Sequence, residues 1–286
     1  MMRAAQMTPF RANMEDTVSD DHLLGEKKGN IYTITLNRPE KRNAISFEML
    51  PELSQIVEEQ ITDAEIRVII IKGEGKAFSA GVDFNSLGML LGRWTGDESA
   101  GGAPIRSDIH KYQQYLNRLE VIEIPIICAI HGAVFGLALE LSLACDFRLM
   151  SDDCIWGMPE LQFGLIADMG GTSRLHRTVG ASRAMEILMT GKRYPADQAL
   201  EWGLVNYLYP QERLLAEAEK LAADIVKMAP LAVGATKKIV RQGEHIDLSA
   251  QMDMEVTLQS ILCRSEDFRE GILALMEKRD PNWKRK

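Results

Sequence analysis

The chain has 286 residues, 46% of them apolar, and a formal net charge of −8 at pH 7. That is ample apolar material for one large or two small domains, and the acidic balance gives the molecule as a whole no attractive field for nucleic acid or an anionic membrane. The longest apolar run, IEIPIICAIHGAVFGLALELSLAC, is broken by Glu123, Pro125, His131 and Glu140, so it falls short of the roughly 18 uninterrupted apolar residues of a membrane span.

In chain order, the first segment has two early arginines, then Glu15, Asp16, Asp20 and Asp21, and lacks the apolar stretch of a secretory signal. It reads as a loose arm over 1–28. GNIYTITLNRP (29–39) alternates like a half-buried strand, 46–62 reads as a helix, and RVIIIKG (67–73) is a β-branched run suited to a strand buried on both faces. Residues 84–108, with TGDESAGGAP, read as a long loop of low order, a mobile lid beside a site. Strands are expected at 124–132, 146–153 and 204–210, with helices near 105–121, 135–145 and 172–189 between them. Strand and helix alternate, which predicts a largely parallel α/β sheet over 29–210. From 211 to 286 the pattern is helical throughout.

Cys128, Cys145, Cys154 and Cys263 show no metal-ligand spacing and three lie in apolar runs. They read as reduced thiols of a cytosolic protein with no metal site. His131 has no nucleophile elbow beside it and reads as structural.

Three segments concentrate chemistry: KAFSAGVDF (76–84), AIHGAVFGLALELSLACD (129–146) and WGMPELQFGLIADMGGTSRL (156–175). In the last, Glu160 and Asp168 stand in a stretch otherwise almost wholly apolar or small, where an unpaired buried carboxylate is costly. Together with LNRPEKRNAIS before them and FREGILALMEKRDPNW after them, these segments resemble the crotonase superfamily, the enoyl-CoA hydratase/isomerase family, over about residues 29–283. The resemblance implies a crotonase-like ββα spiral core with a C-terminal helical subdomain, assembled as a trimer or dimer of trimers. It implies no cofactor, coenzyme A being part of the substrate.

Such chemistry must stabilise the negative charge that develops on a thioester oxygen, and preorganised backbone N–H groups do this. The resemblance gives that role to Ala80 and Leu137. Leu137 and Ala138 stand where the family usually has glycines, and their side chains are expected to narrow the approach to the backbone. Glu140 and Glu160 match the two hydratase carboxylates, Glu140 as base toward water and Glu160 as acid toward C2, with roles reversible. Asp168 matches an aspartate of dienoyl-CoA isomerases, and it also fits a plain helix N-cap before MGGTSRL. The resemblance sets CoA against Lys41, Arg42, Asn43 and Ala44 and against Lys76, Ala77, Phe78, Ala80, Gly81, Val82 and Asp83, with Lys278 and Arg279 reaching the phosphates, in one version from a neighbouring subunit. Three functions stay open: enoyl-CoA hydration, dienoyl-CoA isomerisation through Glu160 and Asp168, and acyl-CoA binding with weak turnover. None calls for nucleic acid or a membrane.

Overall fold

The computed structural model describes residues 22–95, 102–243 and 246–286. Its main sheet runs β1 (Leu23–Lys28), β2 (Ile31–Leu36), β3 (Val68–Gly73), β4 (Ile126–Ile130), β6 (Phe147–Ser151) and β9 (Tyr207–Tyr209) in that spatial order. From β2 to β9 every neighbouring pair is parallel. β4 is buried along its whole length and β3 nearly so, as continuous apolar runs require when both faces are covered. The expected α/β class with C-terminal helices is what the chain adopts.

Two expectations need correction. The arm does not extend to residue 28: Leu23–Lys28 pairs antiparallel with β2, Leu23 opposite Leu36. Only Leu23 of this edge strand is buried, so LLGEKK carries no alternating pattern to announce it. Residues 1–21 lie outside the described residues. The stretch 84–108 is not a loop but α2 (Phe84–Thr95) and the start of α3 (Ala103–Val121); residues 96–101 between them lie outside the described residues. The glycines and Pro104 masked helices whose apolar positions face neighbours far along the chain.

Helix α1 (Met49–Thr62) and α3 cover one side of the sheet and α7 (Gln211–Val226) the other. A second sheet joins β5 (Ala133–Phe135), β7 (Ile155–Gly157) and β8 (Arg193–Pro195). Packed against β5 and α3 is α4 (Leu137–Ala144), all eight residues of which are buried, the expected fate of a helix apolar on nearly every side. Helix α5 (Gly171–Thr190) packs on it. The chain ends in α6 (Ala196–Glu201), then α8 (Pro230–Gly243), α9 (Leu248–Leu262) and α10 (Glu266–Glu277). No described helix is long and apolar enough to cross a membrane.

Buried charge ties α8 to the amino-terminal edge of the sheet. Lys237 Nζ sits 2.7 Å from Asp146 Oδ2 and donates to the carbonyls of Leu119 and Ile124, while Arg241 also reaches Asp146. Lys237→Ala leaves two carbonyls without their donor and Asp146 with Arg241 alone as its cation, so chemical denaturation should register a loss of about 1–3 kcal/mol, whereas an exposed control such as Lys220→Ala should change stability by less than about 0.5 kcal/mol.

Candidate functional site

The site forms at the carboxyl ends of the parallel strands, where open α/β sheets place ligands. After β3 the chain turns through 74–82, and residues 41–44 pack against that turn. Asn43 holds the two together: its side chain accepts from Arg38 N–H and donates to the carbonyls of Glu74 and Ala77. Ser79 Oγ donates to the carbonyl of Asn43, and Arg38 and Asp83 form a buried ion pair at 2.8 Å.

This stitching divides the expected CoA contacts. Lys41, Arg42, Lys76 and Ala80 are exposed, and Ala44 and Val82 half-buried, so these can meet a ligand. Asn43, Ala77, Phe78, Gly81 and Asp83 are buried, and the polar side chains among them serve the turn itself. Lys278 and Arg279 also stand elsewhere. Arg279 is bound to Glu270 and Glu277, and the tail that follows docks at the amino-terminal edge of the sheet, where Arg67 donates to the Trp283 carbonyl and Trp283 Nε1 to that of Lys227. Within one chain these two residues do not join the Lys41, Arg42 and Lys76 surface.

The backbone donors require a second correction. Ala80 N–H is spent on the Arg42 carbonyl at 2.9 Å, Gly81 N–H on Ser79 Oγ and Asp83 N–H on the Ile45 carbonyl. Val82 lies between them in an isolated parallel bridge to Ile45, and its N–H has no partner among the described residues. The free donor of this turn is therefore Val82, not Ala80. Leu137 N–H, at the first turn of α4, is likewise free, as helix starts leave it. The two segments press together at Gly81 (φ 98°), where a Cβ would stand 2.7 Å from the Phe135 carbonyl oxygen and 3.8 Å from the Leu137 nitrogen. The expected narrowing by Leu137 and Ala138 does not occur through their side chains, which are 5% and 0% exposed and belong to the main core.

Three carboxyl groups converge beside these donors. Glu140 is one turn into α4, with Oε2 accepting the Gly171 N–H at 2.6 Å. Burial, then the nearby Glu160 and Asp168 charges, push its pKa from 4.5 to about 8, against the pull of the Gly171 N–H. Glu160 opens a 3-10 turn, Glu160–Phe163. Its Oε2 is buried without a hydrogen-bond partner, and Oε1 stands where a side chain on Gly136 would be, 2.6 Å from an ideal Cβ. Burial raises its pKa, and Asp168 adds to the rise. Burial raises that of Asp168 as well.

Burial thus pushes all three carboxyl groups toward their protonated forms, Glu140, the most enclosed, to about 8. Asp168 is not an N-cap: Gly170 (φ 94°) holds that position on α5 and no side chain caps it. The loop bearing Asp168 is instead held by residues that sequence reading passed over. Gln113 donates to the Asp168 carbonyl, and Arg174 donates to the Met169 carbonyl, to Asn117 and to both oxygens of Glu120. Gln113, Asn117 and Glu120 lie on one face of α3, a spacing legible in the sequence once that helix is recognised. His131 is bonded to the Gly75 carbonyl at 2.9 Å, and Cys128, Cys145 and Cys154 are buried free thiols, Cys263 an exposed one.

A family model described as enoyl-CoA hydratase/isomerase matches residues 26–286. The chain is 33% identical over 262 residues to the 2,3-dehydroadipyl-CoA hydratase of Escherichia coli K12, covering 92% of this chain and 98% of that one. It is 31% identical to the 1,2-epoxyphenylacetyl-CoA isomerase of the same organism, with 92% and 98% covered. Among solved structures, the enoyl-CoA hydratase of Bacillus anthracis superposes with a TM-score of 0.84 at 30% identity, over 93% of this chain and 100% of that one.

The raised Glu140 pKa links the site to stability. Below pH 4.5 the residue is protonated folded or unfolded; between 4.5 and about 8 the unfolded chain releases a proton that the fold retains, so stability drains away as pH rises through that window. Glu140→Gln removes this contribution. Thermal melts from pH 5 to 8.5 should show the variant gaining on the wild type as pH rises, and parallel curves would contradict the burial of an ionisable group.

Proposed function

The chain belongs to the enoyl-CoA hydratase/isomerase family, and on that premise we propose that it is an enoyl-CoA hydratase, adding water across the 2,3 double bond of an enoyl thioester. One observation carries this reading: two backbone donors without partners among the described residues, Val82 and Leu137, border a carboxyl pair in which burial pushes the Glu140 pKa up to about 8 and Glu160 offers a buried, unpaired oxygen. With the thioester oxygen at the two N–H groups, negative charge moving onto it as C3 is attacked is met by donors that need no reorganisation. Glu140 takes a proton from water as its oxygen bonds to C3, and Glu160, whose pKa burial also raises, delivers a proton to C2. Dehydration runs the same steps backward with the roles exchanged.

CoA is proposed to lie along Lys41, Arg42, Ala44, Lys76, Ala80 and Val82. Lys278 and Arg279 would contribute only from a neighbouring copy. Exposed apolar residues on α9 and α10, Leu248, Met252, Val256, Leu275 and Met276 among them, support a homotrimer or dimer of trimers in which those faces are covered. No cofactor enters the proposed chemistry, and the free thiols support a reducing, cytosolic setting. The inward packing of Leu137 and Ala138 argues against the weakly active binding protein.

Asp168 supports a second reading. A half-buried carboxyl with a raised pKa and no capping duty supports proton exchange at a second carbon alongside Glu160, as dienoyl-CoA isomerisation requires.

A substrate panel of crotonyl-CoA, a longer 2-enoyl-CoA, a 3-enoyl-CoA and a 3,5-dienoyl-CoA, followed by absorbance and mass, decides between them. On the hydrated substrate, Glu140→Gln and Glu160→Gln should each lower kcat at least about 10²-fold, and near wild-type turnover by either removes that carboxyl from the mechanism. Asp168→Asn keeps the size of the side chain but cannot take a proton; it should abolish dienoyl isomerisation and spare hydration, and equal loss of both would point to coupling through Glu160 instead.

A further inference from the structure

A cavity of about 730 Å³ opens at the amino-terminal edge of the main sheet, where Pro125 precedes β4 and Asp146 and Phe147 lead into β6. This is the end of the strands opposite the carboxyl cluster, and the volume is in the range of small-molecule sites. Four cationic side chains line the cavity, Arg148, Arg177, Lys237 and Arg241, against one carboxylate, Asp146, in a chain whose net charge is −8. Two of the cations are spent. Lys237 gives its ammonium to Asp146 and to the carbonyls of Leu119 and Ile124, and Arg241 bridges Asp146 and Glu120. The other two have no carboxylate partner among the described residues. Arg148 is only 9% exposed; its Nε donates to the Leu204 carbonyl and its Nη1 to those of Ser142 and Cys145. Its Nη2 has no hydrogen-bond partner among the described residues and, unlike Arg38 Nε or Arg67 Nε, is not sealed off by protein, so it is the part of the guanidinium open to the cavity. Arg177 is exposed and donates through Nη1 to the Ser173 carbonyl, which leaves its other nitrogens free.

A guanidinium taken out of water without a counter-charge is costly. Burial lowers the pKa of Arg148, and the neighbouring Arg241 charge adds to the fall, so an anion in the cavity would stabilise the group that the protein leaves uncompensated. The rest of the lining is apolar: Ile225 at the end of α7, Met228 after it, and Val233 and Val240 on α8, with Met228 and Val240 more than half exposed. We infer that this cavity binds a small carboxylate carrying an aliphatic tail, its head on Arg148 Nη2 and Arg177 and its tail along Ile225, Met228, Val233 and Val240. Two free guanidinium edges match the two oxygens of a carboxylate. The apolar wall disfavours a bare inorganic anion, and the unpaired cations disfavour a neutral lipid. The site is separate from the Lys41, Arg42 and Lys76 surface, and the inference does not depend on the acyl-CoA reading.

The test is calorimetric titration of the full chain with octanoate, with acetate as the head without a tail and 1-octanol as the tail without a charge. Octanoate should bind at least about tenfold more tightly than either. Arg148→Lys keeps the charge but removes the free Nη2; because Arg148 also holds three carbonyls, two variants at exposed positions keep the test independent of folding. Arg177→Ala removes the second donor and Val240→Asp sets a carboxylate in the lining, and each should weaken octanoate at least about fivefold with the melting temperature nearly unchanged. Lys76→Ala, on the surface proposed for CoA, should leave octanoate affinity as it is. No octanoate binding by the wild type overturns the inference, as does octanol binding equally well. Binding that survives Arg177→Ala and Val240→Asp, or that is lost with Lys76→Ala instead, places the carboxylate elsewhere and also overturns it. Sedimentation of the same proteins reads the competing occupant, a second copy of the chain: a changed assembly mass in Val240→Asp without octanoate binding by the wild type makes the cavity a subunit contact and overturns the ligand site.

Discussion

Glu140 sits in a helix with no exposed residue, and the rest of the site is arranged around that fact. A carboxylate enclosed by apolar groups, with no cation paired to it, lowers its energy by holding a proton. The hydrogen bond from Gly171 N–H and the proton together make that position tolerable. The first depends on α5 beginning where it does, and that start is fixed by Arg174 clasping Met169 while bound to Asn117 and Glu120 of α3. A residue of chemical importance is thus held by a chain of contacts reaching across three helices.

Two neighbouring carboxyl groups cannot both be charged cheaply, and enclosure adds to the cost for each. Glu160 lies at the end of the second sheet, on a short turn with exposed neighbours, so less of its hydration is lost. Its Oε2 is buried without a partner among the described residues, the kind of acceptor that ordered water commonly satisfies. Asp168 adds a third charge to the same neighbourhood and raises the cost of ionising the others.

The backbone donors come from a different kind of constraint. In the turn after β3 the N–H groups of Ala80, Gly81 and Asp83 are consumed by Arg42, Ser79 and Ile45, and the parallel bridge from Ile45 to Val82 leaves one donor pointing outward. Beside it α4 begins, and its first N–H is free because a helix cannot satisfy its own start. Gly81 lets the two segments approach, since any side chain there would strike the Phe135 carbonyl. Leu137 and Ala138 replace expected glycines without filling the opening because both side chains turn into the core.

The sequence alone determined the α/β class, the parallel core strands and the helical C-terminus, because burial on both faces leaves continuous β-branched runs and amphipathic helices leave a period of their own. It also singled out Glu140, Glu160 and Asp168, carboxyl groups being conspicuous in apolar surroundings. Tertiary structure decided the rest. The strand Leu23–Lys28 exists because β2 offers it a partner, and Phe84–Thr95 is helical despite reading as loop because its apolar side finds a neighbour. That Val82 rather than Ala80 has the free N–H depends on which carbonyls of residues 42–45 lie opposite, and that burial pushes the carboxyl pKa values of Glu140 and Glu160 upward depends on how much water each has lost. Pairing and enclosure are properties of what surrounds a residue in space, and the order of residues along the chain does not contain them.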